Sequence, residues 1–169
     1  LPLKPKLLAS IVKAAIDAAD SIPVTLKFRV GADDKHQTFL DTGRIAEDLG
    51  AASIALHART AEQLYSGEAN WTKIEALKQS VTSIPVFGNG DIWEPWDALR
   101  MMRSTGCDGV VVGRGCLGRP WLFGDLASVF GITSESGGQE PTDPPVLRDV
   151  CETMIRHAGL LIDWAGPQG

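Results

Sequence analysis

Apolar residues follow two different spacings along the chain, and these predict helices and strands in turn. Residues 7–19 are apolar at helical spacing, and Ser21 and Pro23 favour an end to this helix. Four short, mainly apolar runs predict strands at residues 24–29, 53–57, 84–87 and 110–112. A helical pattern follows each run, at residues 39–49, 70–80, 95–104 and 120–130. The predicted order is one helix and then four strand–helix units.

This order predicts a parallel sheet, because right-handed crossovers place the helices against its faces. The strands are short and almost wholly apolar, which indicates that both faces are covered. Residues 131–145 (GITSESGGQEPTDPP) have the composition of a linker, and residues 146–169 contain a further helical segment. The predicted fold class is therefore α/β, with four parallel strand–helix units followed by a short helical segment.

The composition is that of an ordinary globular domain, with 169 residues of which 44% are hydrophobic and 22% are charged. No apolar run is long enough for a membrane span and no signal peptide is visible, so we expect a soluble, cytoplasmic protein without a membrane partner. The three cysteines have no metal-site spacing and fit a reducing compartment. The net charge of −5 means that nucleic-acid binding would need a local basic patch or protein outside this sequence.

Polar or glycine residues lie at the C-terminal end of each predicted strand. These residues are Lys27 and Arg29, His57 and Arg59, Asn89 and Asp91, and Gly113 and Arg114. Loops are often polar for solvation alone, but four such placements in consecutive units are hard to ascribe to solvation. In parallel α/β proteins the carboxyl ends of the strands carry the ligand site. We therefore predict one ligand site at this edge of the sheet.

The last two strand ends have features of a phosphate site. The stretch VVVGRGCLGRPW (110–121) joins a strand to a glycine–arginine loop and then to a helix, which offers backbone N–H groups and a guanidinium to one anion. The preceding unit contains GNGD (88–91), whose small residues allow a flat ligand to approach the backbone. In TIM barrels the loops after the last two strands frequently bind phosphate. The two loops together predict phosphate binding.

Other residues leave alternatives open. Lys27 lies between apolar neighbours, so its ammonium would contact an anion or a ring acceptor, or else extend to solvent. His57 could hydrogen-bond a cofactor or a core carbonyl. Trp93, Trp96 and Trp121 border helix starts, where packing is the main interpretation and base stacking the alternative.

Four motifs in this order resemble the tRNA-dihydrouridine synthase family over residues 7–125. The motifs are VTLKFRVG, ALHARTAEQLYSGEANW, IPVFGNGDIW and GCDGVVVGRGCLGRPWLF. The resemblance implies a flavin-dependent TIM barrel followed by a helical tRNA-binding domain. It also implies that NADPH reduces the flavin, that hydride passes to C6 of a tRNA uridine, and that a cysteine donates a proton at C5.

The resemblance also assigns roles to residues of this chain. It implies that seven residues hold FMN: Lys27, His57, Asn89, Gly90, Asp91, Gly113 and Arg114. It places Arg59 on the substrate side. The NxGCP motif of the family's catalytic cysteine does not occur here, and neither Cys107 nor Cys116 takes its place. The resemblance therefore assigns no catalytic residue to this chain and puts the cysteine upstream.

The chain lacks the NxGCP motif and has four strand–helix units where the family barrel has eight. These differences predict the C-terminal half of a TIM (β/α)8 barrel at residues 1–130, a linker at 131–145 and the start of the helical tRNA-binding domain at 146–169. A complete barrel takes about 250 residues. A half barrel leaves two strand edges and part of its interior exposed. We therefore expect the isolated chain to be inactive, to retain FMN weakly, and to self-associate or fold poorly.

Two other functional classes remain as alternatives. One is an FMN-dependent TIM-barrel oxidoreductase that acts on a small molecule, which the HART and GRPW segments disfavour. The other is a non-catalytic phosphate-binding module, which fits the acidic net charge slightly better.

Overall fold

The computed structural model describes residues 3–131 and 143–166. Strands alternate with helices along this part of the chain, as the apolar spacing predicts. In chain order the elements are α1 (Pro5–Ala19), β1 (Thr25–Arg29), α2 (Phe39–Asp48), β2 (Ser53–His57), α3 (Thr72–Ser80), β3 (Val86–Asn89), α4 (Pro95–Thr105), β4 (Gly109–Val111), a 3-10 turn (Arg114–Cys116), α5 (Leu122–Val129) and α6 (Leu147–Ala165).

The four strands form one parallel sheet in the order β1-β2-β3-β4. Its register aligns Arg29 with His57, His57 with Asn89, and Asn89 with Val111. The last residues of the four strands therefore form a single row at the carboxyl edge of the sheet. The predicted α/β fold of four parallel strand–helix units is confirmed, and this sheet is consistent with part of a TIM barrel.

The core lies around the two central strands. Ile54 and Leu56 of β2 and Val86 of β3 are fully buried, together with Leu77 of α3 and Met101 of α4. The outer strands β1 and β4 are only partly covered, and within the described residues neither has a second neighbouring strand. Such edges can pair with another chain, which is consistent with the expected self-association. That expectation stays a prediction.

Two boundaries differ from the sequence prediction in ways that affect the site. The third strand begins at Val86, after Pro85, which has no N–H for the ladder, and it continues to Asn89. Asn89 therefore belongs to a strand end and not to a loop. The final unit contains a short 3-10 turn at Arg114–Cys116 before α5 begins at Leu122.

The C-terminal helix α6 begins and ends close to the predicted positions, and its side chains are exposed. Most of the predicted linker, residues 132–142, lies outside the described residues, so the division into domains stays a prediction. Within the described ranges no helix has both the length and the apolar character needed to cross a bilayer.

Candidate functional site

A cavity of about 220 Å³ opens at the carboxyl edge of the sheet. The eight residues predicted to contact cofactor or substrate all line this cavity. They are Lys27, His57, Arg59, Asn89, Gly90, Asp91, Gly113 and Arg114. Since the strands are in register, residues distant in sequence converge there. Their placement at one site agrees with the sequence analysis, and their individual binding roles stay predictions.

Arg29, Tyr65 and Trp93 also line the cavity. Arg29 was predicted to lie at this edge without a specific binding role, and Tyr65 was not predicted to be there. Tyr65 is the one tyrosine of the chain, in a long polar segment after β2, and nothing in its local sequence shows that this segment folds back over the cavity. Trp93 and Trp96 are 44% and 51% exposed. The packing interpretation is therefore wrong for these two tryptophans, because both are about half exposed near the start of α4 instead of buried in the core; of the two, only Trp93 lines the cavity.

The cavity concentrates positive charge although the chain as a whole is acidic. Lys27, Arg29, Arg59 and Arg114 line it, whereas Asp91 is the one acidic residue among its described lining residues. Burial lowers the pKa of Lys27, and the nearby charge of Arg29 lowers it further. A group of cations that is partly removed from water is stabilised by an anionic ligand.

Burial lowers the pKa of His57 to about 4, and repulsion from Arg29, Lys27 and Arg59 adds to this effect. Asp91 opposes the shift. The His57 ring is therefore neutral near pH 7, where one ring nitrogen can donate a hydrogen bond and the other can accept one. A neutral donor and acceptor suits the polar edge of a flat heterocyclic ligand.

The low pKa of His57 predicts that the free energy of unfolding depends on pH. Because unfolded histidine has a pKa of about 6.5, the unfolded state binds more protons than the folded state between pH ~6.5 and ~4. The stability contribution of neutral His57 is present above this window and is lost as the pH falls through it. Urea unfolding of the full-length protein at pH 7 and pH 5 should show a larger loss of stability in the wild type than in His57→Gln. Equal losses in the two proteins would contradict the neutral assignment.

The glycine–arginine loop and the GNGD turn contact each other at the cavity wall. The side-chain amide of Asn89 donates a hydrogen bond to the carbonyl of Val111 at 2.6 Å, which joins the ends of β3 and β4. A Cβ atom at Gly115 would lie 2.0 Å from the carbonyl oxygen of Ile92. Only glycine therefore allows the 3-10 turn to approach the residues after the GNGD turn so closely.

Gly90 and Asp91 give the GNGD turn its shape. Gly90 has a φ of 123°, which favours glycine, and a Cβ there would lie 2.7 Å from that of Ala69. Asp91 has a φ of 56°, in the left-handed region that aspartate tolerates better than most residues. The Trp71 indole donates a hydrogen bond to the carbonyl of Gly90 at 3.1 Å. This hydrogen bond helps to hold the GNGD turn in place.

Arg59 and Asp91 form an ion pair at 2.8 Å beneath the segment that follows β2. Arg59 is 2% exposed and also donates hydrogen bonds to the carbonyls of Ser66 and Gly67, while the Asp91 carboxylate accepts one from the N–H of Ala69 at 2.6 Å. Its Nε and Nη2 bond to protein, whereas Nη1 is buried and has no hydrogen-bond partner among the described residues. Arg59 therefore positions this segment, and its predicted contact with substrate stays untested.

A second arginine fixes the same segment. Arg29 donates hydrogen bonds to the carbonyls of Thr60 and Leu64 at 2.8 Å, and its guanidinium lies 5.5 Å from the centre of the Tyr65 ring. Arg114, in the glycine–arginine loop, lies 4.2 Å from the same ring centre. Tyr65 is thus held at the mouth of the cavity by the end of β1 and by the 3-10 turn.

The described lining of the cavity contains no cysteine and no cluster of three or more side chains that could hold a metal ion. Its cations, neutral imidazole and small-residue loops can bind and orient an anionic, flat ligand.

Comparison with known proteins agrees with this geometry. The family model described as dihydrouridine synthase matches residues 1–167. The chain is 57% identical over 163 residues to the "Probable tRNA-dihydrouridine synthase" of Mycobacterium tuberculosis. The matched region is 95% of this chain but 40% of that protein. It is 41% identical over 164 residues to the "tRNA-dihydrouridine synthase B" of Xanthomonas campestris. Here the matched region is 96% of this chain and 47% of that relative. The chain thus spans under half the length of these relatives, and the family match across nearly all its residues shows that it belongs to the dihydrouridine synthase family.

Proposed function

We propose that this chain supplies the FMN-binding part of a tRNA-dihydrouridine synthase, which reduces uridine to 5,6-dihydrouridine in tRNA with NADPH as the reductant. The observation that carries the proposal is the cationic cavity at the carboxyl edge of the sheet, in a chain that belongs to this family. The relatives named above support the tRNA substrate by their names.

The residues that line the cavity fit FMN. Gly113 and Arg114 suit its phosphate, because they combine an accessible backbone with a guanidinium. Asn89, Gly90 and Asp91 form a turn with little side-chain bulk near the cavity, which suits close approach of a flat group. When bound, FMN supplies the capacity to accept and donate hydride.

Lys27 and His57 are suited to the ring end of the cofactor. They lie on the neighbouring strands β1 and β2, and their side chains line the cavity. Neither forms an ion pair with a carboxylate among the described residues. The Lys27 ammonium donates hydrogen bonds, and neutral His57 can donate and accept. Both groups can orient a ring whose polar edge carries acceptors, and neither needs to be consumed in the reaction.

The volume of about 220 Å³ is smaller than the roughly 300–1,000 Å³ typical of ligand pockets. This agrees with a cavity that the rest of a longer protein completes, as expected when the chain covers 40% of the mycobacterial relative. The proton donor at C5 is then a cysteine outside this chain. The isolated chain should retain little FMN and have no activity.

The Arg114→Met variant of the full-length protein tests the phosphate assignment. A charge-assisted hydrogen bond contributes about 1.5–3 kcal/mol, so FMN affinity should fall about ten- to a hundredfold. The measurement is a fluorescence titration of the apoprotein with FMN. Arg103→Met is the control, because Arg103 is exposed on α4 and does not line the cavity. Equal FMN affinity in the two variants would remove Arg114 from the site.

The reaction is tested separately with the full-length protein. It should form dihydrouridine in unmodified tRNA with NADPH and should not reduce orotate or simple enones. Reduction of those small molecules without dihydrouridine formation would favour the small-molecule oxidoreductase instead. Absence of both activities together with absence of flavin would favour the non-catalytic phosphate-binding module.

A further inference from the structure

The GRPW segment, residues 118–121, does not line the cavity but is bonded to the residues that form its wall. The Arg119 guanidinium donates two hydrogen bonds to the Glu94 carboxylate, each at 3.0 Å, and one to the carbonyl of Trp93 at 3.1 Å. Glu94 and Trp93 belong to the connection between β3 and α4, whereas Arg119 belongs to the loop between β4 and α5. Arg119 therefore joins the end of the glycine–arginine loop to the start of α4.

Two features distinguish this contact from an ordinary surface ion pair. Both terminal nitrogens of Arg119 donate to the two oxygens of Glu94, and this forked geometry adds strength and specificity. The two side chains are 36% and 58% exposed, so a pair without the fork would contribute little. Glu94 is itself fixed, because its carboxylate caps α4 by accepting a hydrogen bond from the N–H of Asp97. Arg119 is thus attached to a rigid element.

Between the 3-10 turn and Arg119 the loop has little packing of its own. Leu117 is 73% exposed, and a Cβ at Gly118 would meet nothing within 4 Å among the described residues. The N–H of Arg119 donates a hydrogen bond at 3.0 Å to the carbonyl of Cys116, the last residue of the turn. A displacement of Arg119 would therefore be passed to the turn that carries Arg114.

We propose that Arg119 is a positioning residue for the phosphate of FMN: its fork to Glu94 holds the 3-10 turn so that Arg114 faces the cavity. The inference rests on the proposed function, which assigns Arg114 to that phosphate. Arg119 does not touch the cofactor, since it does not line the cavity. It acts through the placement of Arg114, because a binding side chain is only as precisely placed as the groups that support it.

Riboflavin separates this role from a general effect on the fold, because it has the ring system of FMN but no phosphate. In the full-length Arg119→Met variant the Kd of FMN should rise about five- to tenfold, which is less than in Arg114→Met because the Arg114 guanidinium remains. The Kd of riboflavin should change by less than about twofold. Fluorescence titration of the apoprotein with each flavin measures both values.

Glu94→Gln tests the partner of Arg119. The amide oxygen of glutamine can still cap α4, but the carboxylate of the fork is lost. The affinity for FMN should fall by a smaller factor than in Arg119→Met. The two changes combined should weaken FMN binding by less than the product of their single effects, because both break the same contact. Single effects that multiply in full would contradict action through Glu94.

Lys78→Met is the matched control. Lys78 and Asp108 form another partly exposed ion pair, at 2.7 Å, but it lies at the amino end of β4 and neither residue lines the cavity. Its loss should leave the affinities for both flavins unchanged, whatever its effect on urea unfolding. If Arg119→Met changes the affinities for FMN and riboflavin equally, or changes neither, Arg119 does not position the phosphate site. A failure of the proposed function would instead show as absence of flavin binding by the wild type.

Discussion

Replacing Gly115 with alanine in the full-length protein should destabilise the glycine–arginine loop and reduce the proposed FMN affinity by at least about tenfold. An added Cβ would lie 2.0 Å from the Ile92 carbonyl oxygen and 3.3 Å from the Cα of Trp93. Both are main-chain atoms that cannot rotate away, so the 3-10 turn must move. Overpacking of this kind typically costs about 1–3 kcal/mol. The displacement also moves Arg114, the residue assigned to the FMN phosphate.

Gly124→Ala is the control for this substitution. Gly124 lies in α5, and a Cβ there meets nothing within 4 Å. Because alanine has a higher helix propensity than glycine, this variant should be as stable as the wild type or more stable. Both variants would be compared by urea unfolding and by fluorescence titration with FMN. If Gly115→Ala binds FMN as the wild type does, the close contact between the turn and Ile92 does not position the site.

The sequence was sufficient to predict the sheet and the edge at which the site lies. Strands such as residues 53–57 are apolar and short, and helices separate them, so a parallel sheet with its polar residues at one edge is the arrangement that the pattern allows. In the structure, the strand register places His57 beside Asn89 at this edge. Local patterns are informative here because each strand–helix unit folds from residues adjacent in sequence.

The sequence could not predict the partners of individual side chains. Arg59 and Asp91 are 32 residues apart, and their pairing depends on how the segment after β2 folds back against the GNGD turn. The position of Tyr65 depends on the same fold, because Arg29 and Arg114 approach it from other units. Such contacts are set by tertiary geometry, which the residue types in one segment do not encode.

The exposed tryptophans show a related limit. Trp93 and Trp96 are large apolar residues beside a helix start, and residue type alone favours burial for them. The structure instead uses Glu94 and Pro95 to begin α4, with reciprocal capping between Glu94 and Asp97. This capping fixes the backbone and leaves both indoles about half exposed. Residue type in this segment does not encode the direction of the indoles.

Asp91→Ala should lower the free energy of unfolding of the full-length protein by up to about 3–5 kcal/mol, because removing the carboxylate of this partly buried ion pair leaves the buried Arg59 charge unpaired. Arg59 is 2% exposed and cannot regain water without movement of the segment that it holds. The same change removes the acceptor of the Ala69 N–H. We therefore expect the Tyr65 segment to become mobile and the affinity for FMN to fall as well. Urea unfolding measures the first effect, and fluorescence titration measures the second.

A surface pair provides the comparison. Lys13 and Asp17 form an ion pair at the same distance, 2.8 Å, but both side chains are at least 60% exposed. Exposed pairs contribute about 0–1 kcal/mol, so Asp17→Ala should change stability little. The double variant Arg59→Leu with Asp91→Ala removes both charges, and it should be less destabilised than the sum of the single variants by about 1–3 kcal/mol. Strict additivity would mean that the two residues act separately, and Arg59 would then be free for the substrate contact that the family resemblance implies.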